Sequence, residues 1–395
     1  MNFSRLSLIA TFAIATFTSH AFAADNLADA FKNGKFSGEM RAYYFDKDNN
    51  TKDENILATG LMLHYMTESY QGFKAGFTFQ SSSTPFASED AKTMFRNDMW
   101  AQGAQLSEAY LGYSMKNVNA KVGRMYLGTP LIAGSGSRLI KEAFEGAIVT
   151  NTDIPHTTLG AMYVDKYQKR TNKKGNIGEF DSYGDGVYSL YAINKSISGL
   201  VLTGAWANVK DYDAVLGTTT QTDLDIYTAE AVYSSKIGAF GYNLSGQYWL
   251  NQYSAGINDS IHGYGLKVGG SYADVSSYIA YSKISDDAVS SGYLSHGVGN
   301  GSDLIYTNSL IASYNYEPDM QAYALYIDYA LLAGAKMGAL YVSTDTDAQN
   351  ASYTGVFTSY NFSGALKGLS VVAQYETKGK DLDGDEFRFK GSYKF

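Results

Sequence analysis

The sequence predicts an all-β fold, a transmembrane antiparallel β-barrel of about 18 strands, with 16 as the alternative. Three observations support this prediction. Short segments in which apolar and polar residues alternate recur along the 395 residues. The chain contains 34 Tyr, 20 Phe and 40 Gly but only 4 Pro, which suits strands that face lipid on one side and water on the other. After residue 23, no window offers the ~18 consecutive apolar residues of a transmembrane helix.

The first 23 residues have the features of a removable export signal. Arg5 supplies the positive charge, residues 6–17 form the apolar segment, and Ala21 to Ala23 match the small-x-small cleavage pattern. The apolar segment is too short for a stable transmembrane helix, although a retained anchor is the alternative. We therefore expect residues 1–23 to be a signal peptide and residues 24–395 to form a single transmembrane barrel.

Strands are expected in a series of segments, with the clearest alternation at 73–80, 242–251 and 385–395. In order they are 34–45, 56–66, 73–80, 106–115, 119–125, 147–151, 157–164, 187–193, 200–209, 224–233, 242–251, 263–273, 275–284, 305–316, 321–331, 337–343, 352–362, 369–376 and 385–395. These allow 16 to 19 strands, and a barrel favours an even number. The last strand should pair with 34–45, so that no sheet edge remains.

The last strand shows the two faces that a barrel wall requires. Apolar residues occupy one face, namely Phe387, Phe389, Gly391, Tyr393 and Phe395. Polar residues occupy the other, namely Glu386, Arg388, Lys390, Ser392 and Lys394. Because successive side chains of a strand point to opposite sides, one set should contact lipid and the other a wet lumen.

The connections between the predicted strands alternate in length. Residues 116–118, 274 and 317–319 are short, whereas 81–103, 126–146, 165–185 and 286–303 are long. This alternation is typical of barrels with short periplasmic turns and long extracellular loops. Segment 126–146 contains Pro130 and little alternation, so we expect a long loop with one helical turn near 139–144.

Several kinds of chemistry have no support in the sequence. The chain has no Cys, and its His residues lack the spacing of a metal site. Residues 381–386 are rich in Asp, but an Asp-Gly turn is favoured there over a calcium loop. The net charge of −8 argues against nucleic-acid binding. We therefore expect no cofactor, no metal and no catalytic residues.

Charged residues at inward strand positions carry the functional prediction. They are Glu39, Arg41, Lys74, Glu108, Glu230, Lys267, Glu376, Arg388 and Lys390. In a barrel these side chains would line water and form the field that an ion crosses. The alternative is that most of them are merely solvated or paired across strands.

A lumen of about 18 strands is too wide to be selective unless a segment folds into it. Loop 126–146 is the candidate, because Arg138, Lys141, Glu142 and Glu145 lie close together there. Opposed charges across a constriction would orient charged and dipolar solutes. The alternative is an exposed surface loop.

The same region resembles a known family. The matching residues are Val122-Gly-Arg124-Met, Thr129-Pro130-Leu131, Ser137-Arg138-Leu139-Ile140 and Phe144-Glu145-Gly146. They are similar to the segment of OprD-type outer-membrane porins that runs from a Gly-Arg strand through a Pro loop to the next strand. Ser37-Gly38, Arg41, Tyr43 and Tyr44 resemble that family's first strand. The specific resemblance covers roughly residues 35–150 and is architectural afterwards.

The resemblance implies an 18-stranded barrel of the Gram-negative outer membrane, often trimeric, that passes small charged or carboxylate-bearing nutrients. It implies inward basic residues beside an acidic side, to which Arg41, Arg124 and Arg138 correspond, whereas Lys141 is inferred from the loop alone. It also implies that Tyr393 and Phe395 mark the chain for the barrel-assembly machinery. The net acidity of this chain departs from that pattern.

These expectations lead to a passive outer-membrane channel without enzymatic activity. Its partners would be ions, small hydrophilic solutes and outer-membrane lipid, with a homotrimer as one form of assembly. The alternatives are a barrel enzyme such as a lipase or protease, and a non-conducting adhesin or structural barrel. A soluble β-sandwich or propeller is the alternative fold.

Overall fold

The computed structural model describes residues 24–212, 222–254, 260–287, 293–302 and 305–395. The predicted signal peptide at 1–23 lies outside these residues. In the described part of the chain, 18 strands form a single closed sheet in which each strand pairs with its neighbours in sequence. The last strand pairs with the first, with Met40 opposite Tyr393 and Tyr44 opposite Phe389. The predicted 18-stranded barrel and its closure are confirmed.

The strands have the following bounds: β1 Lys35–Asp48, β2 Asp53–Met66, β3 Phe73–Ser82, β4 Gly103–Met115, β5 Val118–Met125, β6 Ala143–Asn151, β7 Thr157–Gln168, β8 Phe180–Asn194, β9 Leu200–Val209, β10 Leu224–Ile237, β11 Phe240–Tyr253, β12 Ser260–Tyr272, β13 Val275–Ile284, β14 Gln321–Leu332, β15 Ala335–Asp345, β16 Asn350–Asn361, β17 Leu369–Lys380 and β18 Asp385–Lys394.

Helices are few and short. They are α1 (Leu27–Lys32), α2 (Glu89–Met94) and a 3-10 turn at Gly364–Leu366. The Ser88 side chain caps α2 by accepting a hydrogen bond from the backbone N–H of Ala91 at 2.9 Å. None of the described helices has the length and apolarity needed to cross a membrane.

The alternation of the wall agrees with the prediction. In β18, Phe387 and Phe389 are 36% and 43% exposed, whereas Arg388 between them is 4% exposed. In β11, Leu244 and Tyr248 are exposed on the outside, and Gln247 is buried on the inside. The outer face therefore presents apolar side chains, and the polar side chains Gln247 and Arg388 of these two strands face inward.

The two ends of the barrel differ in their connections. At the end where β1 begins and β18 ends, here called the turn end, residues 116–117, 238–239, 273–274 and 333–334 link strands as two-residue turns. At the opposite loop end, residues 83–102, 126–142 and 285–320 are long connections. The four-residue connections 49–52, 346–349 and 381–384 depart from the expected long loops. They join neighbouring strands between β15 and β2, so the rim of the loop end is low along this arc.

Three local predictions are wrong. Residues 305–316, predicted as a strand, and 317–319, predicted as a turn, both belong to connection 285–320. Ile305, Tyr306 and Thr307 are buried consecutively, at 4%, 6% and 0% exposure, which is not the two-faced burial of a wall strand. The helical turn predicted near 139–144 is absent, because β6 begins at Ala143.

Candidate functional site inside the barrel

Loop 126–142 folds into the barrel. Its residues Leu131 and Ile132 are fully buried. Gln80 on the inner face of β3 binds the loop twice, since its Nε2 donates to the carbonyl of Lys141 at 2.8 Å and its Oε1 accepts from the Lys141 N–H at 2.9 Å. Arg41 on β1 donates from Nη1 to the carbonyl of Leu139 at 2.8 Å. The predicted inward fold is confirmed, and the exposed surface loop is excluded.

Residues 293–302 and 305–316 of connection 285–320 form a second inward segment, which the sequence did not indicate. Val298 pairs with loop 126–142, donating its N–H to Leu131 at 2.8 Å and accepting from Ala133 at 3.0 Å. Together the two loops bury a continuous apolar cluster against the strands from β5 to β14. Wall residues of this cluster include Met125, Val164, Val187, Ile226, Trp249, Ile261 and Ala322. That side of the lumen is therefore filled.

Glu142 joins the inward loops to each other. Its side chain is fully buried and accepts hydrogen bonds from the Ser135 N–H at 2.8 Å and from the Asn300 side chain at 2.5 Å. Nε of Arg170, in connection 169–179, lies 3.3 Å from its Oε1. Glu142 was predicted to line the constriction, and in the structure its carboxylate holds three loops together instead of facing open water.

Asp98 lies after α2 in connection 83–102 and adds a second carboxylate to this network. It pairs with Arg138 and lies 3.6 Å from Nη1 of Arg170. Burial alone would raise the pKa of Asp98, but the guanidinium groups of Arg138, Arg388 and Arg170 outweigh it and lower the pKa. Asp98 is therefore a carboxylate at neutral pH, and it partly neutralises the cations around it.

Three cations surround the ring of Phe45 on β1. The charged groups of Arg138, Arg388 and Lys390 lie 5.5, 4.6 and 5.6 Å from its centroid. Arg388 pairs with Glu386 at 2.6 Å, whereas Lys390 forms no ion pair with a described residue. The sequence placed Arg388 and Lys390 on this wall, but only the fold brings them to Arg138.

The cluster continues along β1 towards the turn end. Arg41 pairs with Glu39 at 2.9 Å. Lys141 lies with its Nζ 4.0 Å from the ring centroid of Tyr126, and burial lowers its pKa from 10.5 to about 8. The basic cluster is defined as Arg41, Arg138, Lys141, Arg388 and Lys390. Its ion-paired carboxylates are Glu39, Asp98 and Glu386, and Glu108 and Glu376 lie close enough to act on Lys141 and Arg388.

Three predicted lumen residues lie on the inner face but outside the basic cluster. Glu108 is buried and accepts from the Thr78 hydroxyl at 2.5 Å and from the Tyr126 N–H at 3.1 Å, so it holds the start of the inward loop. Lys267 is on β12, with its Nζ 4.1 Å from the ring centroid of Tyr306. Lys74 lies at the turn end of β3.

Arg124 and Glu145 are not in the lumen, and their prediction as constriction residues is wrong. β5 pairs with both neighbours without a register shift, so Arg124 shares the face of Val122, which is 56% exposed. Glu145 contacts Arg124 at 2.8 Å and Lys166 at 2.7 Å. These three residues form an ion-pair chain on the outer face near the loop end.

The fold of the barrel resembles several solved structures. OccK9 (OpdG) of Pseudomonas aeruginosa superposes with a TM-score of 0.78 at 16% identity, covering 93% of this chain and 99% of that chain. OccAB2 of Acinetobacter baumannii gives 0.76 at 16% identity over 93% and 99%. OpdK of P. aeruginosa, solved with vanillate, gives 0.75 at 15% identity over 92% and 99%. No family model and no curated protein matches the sequence. At these identities the likeness establishes the fold, and the resemblance to OprD-type barrels is confirmed at that level.

Proposed function

We propose that the chain is a passive outer-membrane channel for ions and small hydrophilic solutes, with a preference for carboxylate-bearing anions. The observation that carries this proposal is the basic cluster, which gathers five cationic side chains on β1, β18 and the inward loop of a closed barrel whose outer face is apolar. A unit charge about 5 Å from a solute carboxylate contributes on the order of 3 kcal/mol at an effective dielectric constant of 20. That attraction is enough to concentrate anions at the cluster.

The shape of the loop end supports a route past these cations. The short connections 49–52 and 381–384 leave the rim low above β18 and β1, the strands that carry Arg388, Lys390 and Arg41, while Phe95 and Met99 of connection 83–102 pack over Phe45. A solute entering here would be attracted first by the charges of Arg138 and Arg388, and then by those of Lys390 and Arg41. Several weak sites in sequence favour passage, because a solute must leave as readily as it binds.

The proposed solute class has a counterpart among the similar structures. OpdK was solved with vanillate, which is a carboxylate. In this chain, the three cations gathered around the buried ring of Phe45 would supply the charge that attracts such a molecule.

The proposal is tested in planar bilayers. Purified, folded protein should give stepwise conductance, and reversal potentials in asymmetric salt should indicate anion preference. Arg138→Ala should weaken that preference, whereas Lys267→Ala, on β12 and outside the basic cluster, should change it less. Absence of steps from the folded wild-type protein would overturn the proposal.

A plugged structural barrel or adhesin is the second candidate, because the lumen along β5 to β14 is filled by loops. It predicts no conductance, so the same recording separates the two. A barrel lipase or protease is the remaining alternative, and assays with lipid and peptide substrates test it. We further propose that the barrel lies in outer-membrane lipid and assembles as a homotrimer, and that the barrel-assembly machinery recognises Tyr393 and Phe395. These proposals are tested by cross-linking and by assembly of variants at these two positions.

A further inference from the structure

Glu376 binds the second inward segment in an unusual way. It lies on the inner face of β17 and is 3% exposed. Its Oε2 accepts hydrogen bonds from the backbone N–H groups of Leu310 and Ile311 at 2.7 and 3.2 Å, and its Oε1 accepts from Ala312 at 2.7 Å. Three consecutive N–H groups therefore converge on one carboxylate.

This convergence determines the conformation of the segment. In a β-strand, successive N–H groups point to opposite sides, so three in a row cannot reach one acceptor. A backbone that curls around an anion can present them together. Residues 305–316 are rich in β-branched and aromatic residues, but the carboxylate of Glu376 holds 310–312 in a curled form.

Other contacts show that the segment is seated against the wall. The Tyr306 hydroxyl donates to Oε1 of Glu230 on β10 at 2.7 Å. Leu310 packs over Gly355 of β16 so closely that a Cβ placed on this glycine would lie 2.9 Å from the Cβ of Leu310. The absence of a side chain at Gly355 therefore allows the segment to approach.

The same segment touches the basic cluster. Nη2 of Arg388 donates to the carbonyl of Ile311 at 3.4 Å, while its Nε pairs with Glu386. The peptide that Glu376 holds by its N–H groups thus presents a carbonyl to a cation of the proposed constriction. Displacement of 310–312 would remove one partner of Arg388 and widen the lumen beside it.

We propose that Glu376 is a positioning residue that latches segment 305–316 to the wall, and so sets both the free width of the constriction and the orientation of Arg388. This inference rests on the proposed channel function. The latch acts through backbone groups, so it depends on the carboxylate at 376 and not on the side chains of 310–312.

The test compares Glu376→Ala with wild type and with Glu317→Gln, a control that removes one acid from the same loop. Glu317 forms no ion pair with a described residue and does not hold 310–312. Glu376→Ala leaves three N–H groups without their acceptor, so we expect roughly twofold higher conductance, more open-channel noise and weaker anion preference, as for a lumen that loses part of its inward lining. The control should retain wild-type noise and conductance. If Glu376→Ala does not assemble, Glu376→Gln should show a smaller change in the same direction, because its amide oxygen can still accept from Leu310 and Ile311.

A disulfide distinguishes a latch from a general structural effect. The chain contains no Cys, so Leu310→Cys with Gly355→Cys introduces the sole pair. Formation of the bond requires a small outward relaxation, since Cβ atoms of a disulfide are about 3.8 Å apart. In the Glu376→Ala background, oxidation should restore wild-type conductance and reductant should raise it again.

The outcomes separate this inference from the proposed function. If the folded wild-type protein gives no conductance, the proposed channel function is contradicted. If the wild type conducts and Glu376→Ala has the same conductance, the latch is overturned but the channel is not. The same holds if oxidation does not change the conductance of the variant that combines Glu376→Ala, Leu310→Cys and Gly355→Cys. Heat-modifiable migration of every variant on a gel reports whether the barrel has formed.

Discussion

Two sides of the lumen have opposite contents although their outer faces are alike. Along β5 to β14, the apolar wall residues Ile226 and Trp249 are fully buried beneath the inward loops. Along β17, β18 and β1, the inward positions instead carry Glu376, Arg388 and Arg41, and the rim above them is low. We call these the filled side and the basic side.

The difference shows that the loops determine what the inner wall must be. Where long loops fold inward along β5 to β14, many of the wall side chains beneath them are apolar, and the charged Glu230 is compensated by the Tyr306 hydroxyl, because burying uncompensated charge there would cost several kcal/mol. Along β18 and β1 the charged wall residues are instead compensated by partners, since Arg388 pairs with Glu386 and Arg41 pairs with Glu39. The inward residues of one strand cannot be interpreted without knowing which loop lies over them.

The largest effect is expected from breaking the junction of the filled side. Glu142→Ala leaves the guanidinium of Arg170 and the amide of Asn300 without the buried carboxylate, and removal of one partner of a buried pair costs about 3–5 kcal/mol. We expect the inward loops to separate, with higher and noisier conductance and faster proteolysis within 126–142. Glu179→Ala, an exposed acid in connection 169–179, is the control. Unchanged proteolysis of Glu142→Ala would mean that the apolar cluster alone holds the loops.

A smaller effect is expected from removing one charge on the basic side. Lys390 forms no ion pair with a described residue, so Lys390→Gln removes a cation without leaving a carboxylate unpaired. A loss of about 1 kcal/mol of attraction corresponds to roughly a fivefold fall in the anion-to-cation permeability ratio. Reversal potentials measure this ratio. Lys267→Gln, on β12, is the matched control, and an equal fall in both variants would contradict the distinction between the two sides.

A still smaller effect is expected from pH, through Lys141. Burial lowers its pKa to about 8, so it is mostly charged at pH 6.5 and mostly neutral at pH 9. Loss of one cation of the basic cluster should reduce anion preference as pH rises through 8. Lys141→Arg, which keeps its charge throughout this range, should remove that step. A step of the same size in the Arg variant would assign it to another group.

The strands of the barrel wall could be predicted from the sequence because they are recognised by a local pattern of apolar and polar residues. Alternation in a strand depends only on neighbouring residues, and the apolar faces of 73–80, 242–251 and 385–395 all point outward as expected. The inward loop 126–142 was also recognisable, because it interrupts the alternation. Arg138 and Lys141 within it do belong to the basic cluster.

The rest depends on contacts between distant segments. Arg170 and Asn300 meet at Glu142, and Asp98 joins them through Arg170, from connections that carry no pattern in sequence. Segment 305–316 has the composition of a strand, and only the carboxylate of Glu376, more than 60 residues away, curls it. The face of β5 that carries Arg124 was likewise assigned wrongly. Val122 is apolar and Arg124 is charged, yet both lie on this face, so the local pattern does not indicate whether the face points to lipid or to the lumen.

The smallest effect is expected at Arg124, which lies on the outer face and therefore belongs to neither the filled side nor the basic side of the lumen. Arg124 is 36% exposed on the outer face and pairs with Glu145, which also binds Lys166. Exposed pairs of this kind contribute about 0–1 kcal/mol to stability, and Lys166 still neutralises Glu145 when Arg124 is removed. Arg124→Ala should therefore leave both conductance and reversal potential at wild-type values, while Arg138→Ala changes the reversal potential. A shift in Arg124→Ala as large as that in Arg138→Ala would place Arg124 in the path of ions and contradict its assignment to the outer face.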